Sequence, residues 1–351
     1  MKVLTVIGAR PQFTKAAVVS RAFQTIASNE VTEYIVHTGQ HYDHNLSEIF
    51  FEELQLPRPY RHLAAAAPNH NVMMGRMFEG IEEVISEIRP DWALVYGDTN
   101  STVAGALAAR ATNTRLIHVE AGLRSFNRTM PEELNRITTD HISDLLFAPS
   151  NVAMCNLANE SASGSAHMVG DVMYDNVIYQ ASRLSGEVPF ASAKEFAFMT
   201  CHRAENTDDP ERLRSLFEAV GRVSLPVLCP IHPRTAKALK AADISVPANI
   251  TMVEPMGFQD LISHVKAAKI IITDSGGLQK EAFYLKKPCV ILRRETEWVE
   301  LLETGTSVLA GDNFGNLASQ VDGLLSSDLN FKDIYGDGTA GEKIVDVLLS
   351  I

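Results

Sequence analysis

One unit recurs along this chain: a short β-branched or apolar run that stops at a glycine or polar loop and gives way to an amphipathic stretch. Residues 3–7 end at Gly8, and after Pro11 come Val18, Val19, Ala22, Phe23 and Ile26, spaced for one helix face. The unit returns where residues 35–36 stop at the polar stretch 38–45, where 92–96 stop at Gly97-Asp98-Thr99-Asn100, and where 116–119 stop at Glu120-Ala121-Gly122. After about residue 180 it restarts, with strands expected at 196–200, 227–231, 250–253, 270–273 and 289–292. Strands that alternate with helices build parallel sheets covered on both faces. The chain has 351 residues, more than one core usually fills. The expectation is therefore α/β: two Rossmann-like doubly wound domains with a cleft between them, the boundary falling near residue 170. Ligands of open α/β sheets bind beyond the carboxyl ends of the strands, so functional residues are sought in the strand-end loops.

Composition narrows the partners. A net charge of −12 argues against generic nucleic-acid binding, which needs clustered Lys and Arg, yet leaves room for a small anion where arginines converge. At 46% hydrophobic, with a mean hydropathy of −0.01, the chain can bury a large core. It has no uninterrupted apolar run long enough for a membrane span, and its apolar start is too short for a signal-peptide core. A cytoplasmic protein with no membrane partner is expected. Cys155, Cys201, Cys229 and Cys289 are too far apart for a Cys-x-x-Cys motif, so they are expected reduced and mostly buried.

Thr273-Asp274-Ser275-Gly276-Gly277-Leu278-Gln279-Lys280-Glu281 follows a β-branched run and opens a helical pattern. Such a helix start suits phosphate, with Ser275 adding a donor and Gly276 and Gly277 allowing close approach; Glu281 could accept from ribose hydroxyls. The alternative is a serine cap on a glycine turn. Arg10 and Lys15 lie where cations oppose a helix dipole, which an anion would explain; solvated charge is the alternative for Lys15. Asp98 or Thr99 could simply cap a helix, Glu120 and Arg124 could form an internal salt bridge, and Pro131-Glu132-Glu133 reads as an ordinary helix start. Together Asp98, Glu120 and Glu132 would crowd one wall, and crowded carboxylates raise one another's pKa toward values useful for proton transfer. His202-Arg203 and His232-Pro233-Arg234 each follow a strand, and His37-Thr38-Gly39-Gln40-His41 is rich in polar contacts. No His-Glu-x-x-His spacing appears, so no metal is expected.

In order, these motifs resemble the non-hydrolysing UDP-N-acetylglucosamine 2-epimerase family over essentially the whole chain. The residues that carry the likeness are Gly8-x-Arg10-Pro11 with Lys15, Gly97-Asp98-Thr99, His118-Val119-Glu120-Ala121-Gly122-Leu123-Arg124, Pro131-Glu132-Glu133 with Asn135-Arg136, His202-Arg203, His232, Asp274-Ser275-Gly276-Gly277 and Tyr335-Gly336-Asp337-Gly338. The resemblance implies two Rossmann-like domains in the glycosyltransferase-B arrangement, spanning 1–170 plus 339–351 and 171–338, with a final helix at 341–349 returning to the first. It implies elimination of UDP and its re-addition, without cofactor or metal. Asp98, Glu120 and Glu132 are then acid/base candidates, and His202, Arg10 and Lys15 stabilise the departing diphosphate. Arg124, Arg136, Arg203, His232, Ser275, Gly276, Gly277 and Glu281 would bind substrate, while Gln40 and His41 would make sugar or second-site contacts. A homodimer is implied as well.

Gly8-Ala9-Arg10-Pro11-Gln12-Phe13, the segment 37–43, Arg124-Ser125-Phe126-Asn127-Arg128 and Thr296-Glu297-Trp298-Val299-Glu300 look more like the branch acting on UDP-2,3-diacetamido-2,3-dideoxy-glucuronate, which feeds surface polysaccharides such as O-antigen. Its carboxylate would need a cation, Arg124 or Arg128. Arg294 stands where that family usually has Asp, Thr14 where it has an aliphatic residue, and residues 64–68 replace a loop with Gly and His. The alternatives are a UDP-N-acetylglucosamine 2-epimerase, a hydrolysing epimerase, a glycosyltransferase of the same architecture, and a UDP-sugar-binding regulator.

Overall fold

The computed structural model describes residues 1–40, 51, 54–183 and 195–351, with Arg10 described by its backbone alone. The chain divides into two compact units, Met1–Asn176 with Ile334–Ile351, and Val177–Asp333. The divisions at 176 and 333 differ from the 170 and 338 expected from sequence.

Among the described residues, the first unit carries β1 (Lys2–Ile7), β2 (Thr32–His37), β3 (Arg61–His62), β4 (Trp92–Tyr96), β5 (Arg115–Val119), β6 (Leu145–Ala148) and β7 (Ser165–Met168) in one parallel sheet of order β3-β2-β1-β4-β5-β6-β7. The second carries β8 (Ala197–Thr200), β9 (Val227–Pro230), β10 (Ile250–Val253), β11 (Ile270–Thr273), β12 (Cys289–Ile291) and β13 (Ser307–Leu309), ordered β10-β9-β8-β11-β12-β13. Both orders reverse direction once, between β1 and β4 and between β8 and β11. At such a switch point the flanking loops part and leave a crevice.

Alternation along the strands makes the two faces. In β1, Val3 and Ile7 join a core with Phe13, Ala17 and Val19 of the helix Arg10–Ile26 and with Ile344, Val345 and Leu348 of the helix Ala340–Leu349. Leu4 and Val6 face the other core, with Ile81, Val84 and Ile85 of the helix His70–Ile88. Each fully buried Ile or Leu contributes roughly 1.5–3 kcal/mol. The helix Asn100–Ala111 packs closer than large side chains allow: a Cβ on Gly105 would lie 3.0 Å from Val95 Cγ1. The second sheet repeats this, with Met199 and Ile272 on one face and Phe198 and Ile271 on the other.

The first and last segments of the fold meet through glycine. Gly170 and Gly336 have φ of +96° and +87°, and a Cβ on Gly170 would lie 2.8 Å from Tyr335 O, the carbonyl that accepts from Asp171 N at 2.9 Å. Cys201, Cys229 and Cys289 are buried, as expected of most of the four, and Cys155 is exposed. Among the described residues no helix is long and apolar enough to cross a membrane.

Candidate functional site

In the first unit the strand-end loops at the β1/β4 switch point are locked together by one amide. Gln12 Oε1 accepts from Gly8 N at 2.9 Å and Ala9 N at 3.1 Å, while its Nε2 donates to Tyr96 O at 3.1 Å and Thr102 Oγ1 at 3.0 Å. Gly8 is required because a Cβ there would run into the hydroxyls of Thr38 and Ser101, which bond each other at 2.8 Å. Gln40 Oε1 in turn accepts from Ser101 N at 3.1 Å and Ser101 Oγ at 2.8 Å. The helix Asn100–Ala111 is capped by Thr99, so Asp98 is released from that duty.

Asp98 instead pairs with Arg136, and Asn135 Nδ2 donates to its carbonyl at 2.9 Å. Arg136 also holds Glu133 at 3.0 Å. Glu120 pairs with Lys15, both nearly buried, and a Cβ on Gly97 would lie 3.1 Å from Lys15 Nζ and 3.2 Å from Glu120 Oε2. Gly97 has φ +62°, and Glu120 itself is held at φ +73°, a conformation costly for a residue with a Cβ. The expectation was that Asp98, Glu120 and Glu132 crowd one wall of the site. Two of these carboxylates meet cations, and Glu132 is exposed with no partner among the described residues. Lys15 is not a solvated charge either.

Beneath these loops lies a buried network. His118 Nδ1 sits 2.7 Å from Asp140 Oδ1 and its Nε2 sits 2.8 Å from Gly97 O, tying the Gly97-Asp98 turn to the helix Pro131–Ile142. Burial alone would raise the pKa of Asp140, but the charges and hydrogen bonds of His118 and Arg124 outweigh it and hold the carboxyl below its ordinary value. Arg124 contradicts its expected role as a substrate contact. Its side chain has no exposed surface, and its nitrogens are bound to Asp140 at 2.7 Å, Glu160 at 2.7 and 2.8 Å and Leu123 O at 2.6 Å. The internal salt bridge is real, with different partners from those the sequence suggested.

The second unit organises its β8/β11 switch point around one buried carboxylate. Thr200 and Thr273 are register partners bonded through their hydroxyls at 2.6 Å, so the loops leaving them start side by side. Asp274, fully buried, accepts from His202 N at 2.9 and 3.1 Å, Arg203 N at 2.9 Å and Asn206 Nδ2 at 3.1 Å, and lies 3.1 Å from His202 Nδ1. Burial pushes its pKa up, and the bonds from His202 and Arg203 more than reverse this. His202 stays 39% exposed, its ring 5.6 Å from that of His232. His232 caps the helix Pro233–Ala241, its Nδ1 accepting from Arg234 N at 3.1 Å.

Ser275 caps the helix Gly276–Tyr284, its Oγ accepting from Leu278 N at 3.4 Å, which is the simpler of its two readings. Neither Gly276 nor Gly277 has positive φ, so their value is space. A Cβ on Gly276 would collide with Glu297 Oε1, a carboxylate that Arg293 Nη1 holds at 2.6 Å and that Arg203 approaches at 4.0 Å. A protein carboxylate therefore rests where the helix start would receive an anion. Glu281 lies in the second turn of this helix, half-buried. Arg294 is 68% exposed and pairs with Asp312 at 2.5 Å.

The structure thus brings Lys15 to Glu120, Asp98 to Arg136 and His202 to Asp274 and His232. His41 lies outside the described residues, as does the side chain of Arg10. Gln12, Glu133, Asn206 and Asp274 are organising residues to which the sequence reading assigned no individual role. Among the described residues no His, Cys, Asp and Glu cluster could hold a metal ion.

Known proteins resemble the whole chain. A sequence profile for the family described as UDP-N-acetylglucosamine 2-epimerase matches residues 24–349. Over 100% of both chains the protein is 45% identical to the UDP-2,3-diacetamido-2,3-dideoxy-D-glucuronate 2-epimerase of Pseudomonas aeruginosa. Over 99% of both chains it is 38% identical to the UDP-N-acetylglucosamine 2-epimerase of Methanocaldococcus jannaschii. The crystal structure of the Methanocaldococcus jannaschii UDP-GlcNAc 2-epimerase with UDP-GlcNAc and UDP matches over 100% of both chains with a TM-score of 0.82.

Proposed function

The chain belongs to the UDP-N-acetylglucosamine 2-epimerase family, and from that premise we propose that it inverts C2 of a UDP-linked 2-acetamido sugar, with UDP-2,3-diacetamido-2,3-dideoxy-glucuronate as the preferred substrate. The observation that carries the chemistry is the pairing of Glu120 with Lys15 and of Asp98 with Arg136, carboxylates set against cations in the loops of a Rossmann switch point. The substrate class rests on the likeness to the Pseudomonas aeruginosa enzyme.

In the proposed reaction one carboxylate removes the C2 proton, and the C2–H electron pair becomes the C1=C2 double bond. The C1–O bond breaks with its electrons leaving on the UDP oxygen, giving a 2-acetamidoglycal. The same oxygen then re-attacks C1 while a second carboxylic acid delivers a proton to the opposite face of C2. A weakly acidic C2–H needs a stabilised leaving group, which is the role assigned to Lys15, Arg10 and His202, with Ser275, Gly276 and Gly277 receiving phosphate and Glu281 the ribose. Asp98, Glu120 and Glu132 are the carboxylates from which base and acid are drawn. With Arg124 engaged internally, Arg128 is the remaining candidate for a uronate partner: it is exposed and has no partner among the described residues. A cytoplasmic homodimer supplying surface-polysaccharide synthesis completes the reading, on family likeness alone.

The test is incubation with each UDP-sugar in deuterated water, following C2 by NMR. Deuterium at C2 with the UDP linkage retained, faster for the diacetamido-uronate, is the expected result. No exchange with either sugar rejects the epimerase; faster exchange with UDP-N-acetylglucosamine rejects the substrate preference.

A further inference from the structure

The loop after β5 holds an aromatic ring in solvent by unusual means. Phe126 is 78% exposed, and its backbone sits at φ +58°, a left-handed conformation that a bulky residue rarely adopts. Mobility does not explain this, because the loop is pinned throughout. Glu133, 1% exposed, accepts from Ser125 N, Ser125 Oγ and Phe126 N, each at 2.9 Å. Asn127 Oδ1 accepts from Thr129 N at 3.1 Å and Thr129 Oγ1 at 2.7 Å, and Met130 N donates to Asn127 O at 3.0 Å. A buried carboxylate is thus committed to fixing a strained Ser125–Phe126 segment whose aromatic side chain stays largely in solvent. The same carboxylate is tied through Arg136 to Asp98. The ring and a candidate proton-transfer group are therefore set by one rigid chain of contacts.

We propose that Phe126 is a specificity-determining residue that receives the sugar of the nucleotide-sugar substrate, its ring face meeting the C–H groups of the pyranose or of an acetamido methyl. This rests on the epimerase reading above. Glu133 is the positioning residue: it binds the N–H groups of the peptides on both sides of Ser125, the second being that of Phe126, and so aims the ring. The helix Pro131–Ile142 supplies both Glu132, a candidate acid or base, and Glu133, which holds the backbone of Phe126. An aromatic face excludes water from C–H groups without competing for their hydroxyl neighbours, and such contacts add to plain area burial.

The experiment compares the full-length wild type with Phe126→Ala and Phe126→Tyr. Alanine keeps the left-handed strain that glycine would relieve, so the loop is not loosened by the substitution itself. For Phe126→Ala, KM for the UDP-2-acetamido sugar rises about tenfold with kcat within about threefold of wild type, and Phe126→Tyr restores KM. UDP lacks the sugar, so its Kd by calorimetry stays within about twofold in both variants. An unchanged KM in Phe126→Ala overturns the proposal. So does a parallel loss of UDP affinity, which marks a structural role, or a changed oligomeric mass with unchanged KM, which marks a contact with a second copy of the chain. Wild-type deuterium exchange at C2 is measured in the same samples. Its presence with a flat KM ends this assignment alone; its absence with both sugars removes the epimerase reading and this assignment with it.

Discussion

The two units use the same place in the same topology differently. At the β1/β4 switch point side-chain charges face one another, Lys15 with Glu120 and Asp98 with Arg136, and the backbone is shaped by a left-handed Glu120. At the β8/β11 switch point a single buried carboxylate, Asp274, gathers backbone N–H groups beside the helix start at Ser275, where Glu297 lies against Gly276. Paired ionisable side chains suit a task in which protons move. Oriented backbone donors suit a task in which a fixed charge is held, because they cannot titrate. Strand order alone distinguishes neither.

The comparison breaks most sharply at Glu120. Glu120→Gln keeps the shape but removes the proton acceptor, so C2 deuterium exchange should fall at least about a hundredfold while UDP affinity is retained. Exchange within tenfold of wild type would remove Glu120 from the chemistry.

Next in size is a contrast between two carboxylates, one half-buried and one fully buried. Asp175, which accepts from Gly341 N at 2.8 Å, is pushed up to about 6 mainly by burial, with Asp171 adding and backbone donors opposing. Its pKa lies above the ordinary 3.8, so its contribution to stability is complete below that value and is lost as pH rises through about 6. Asp274 has a lowered pKa, and its contribution is present above the ordinary range and lost as pH falls. Asp175→Asn should therefore gain stability on the wild type between about pH 4 and pH 8, by roughly 2 kcal/mol after allowance for partial exposure. Urea titrations at the two pH values measure it, and parallel curves for the two proteins would contradict the assignment.

Smaller still is Gly276→Ala, whose methyl meets Glu297. UDP should bind about tenfold more weakly, with most of the loss recovered by Glu297→Ala in the same chain. Calorimetry on the single and double variants reads this, and additive losses would place the glycine's role elsewhere. Arg294→Ala should change least, by about 0.5 kcal/mol or less in stability, because an exposed ion pair with Asp312 contributes little. The charge reversal seen in the sequence falls on a side chain that reaches outward to Asp312.

Much of this was legible in the sequence. β-branched runs bounded by polar loops gave β4, β10 and β11 to the residue, and the order of the motifs gave the α/β class. The strands that escaped had physical reasons. β6 is Leu-Leu-Phe-Ala, an apolar run with no β-branched residue, and β7 is Ser-Ala-His-Met, an edge strand with no alternation. β3 is two residues long, and β13, which also escaped, is three. Among site residues, Arg124 misled because its partners Asp140 and Glu160 lie far along the chain and meet it only when the sheet is assembled. Gln12 and Asn206 were invisible for a related cause. An amide declares nothing in one dimension about which two loops it will join.

Gln12 has a further consequence. Its oxygen faces two N–H groups and its nitrogen faces a carbonyl and a hydroxyl, so the side chain is read by polarity at both ends. Glutamate, the same size and shape, would turn an attraction toward Tyr96 O into a repulsion, and methionine would abandon all four neighbours. The floor under the first loop is thus keyed to a single amide orientation, and drift at position 12 has no isosteric route to follow.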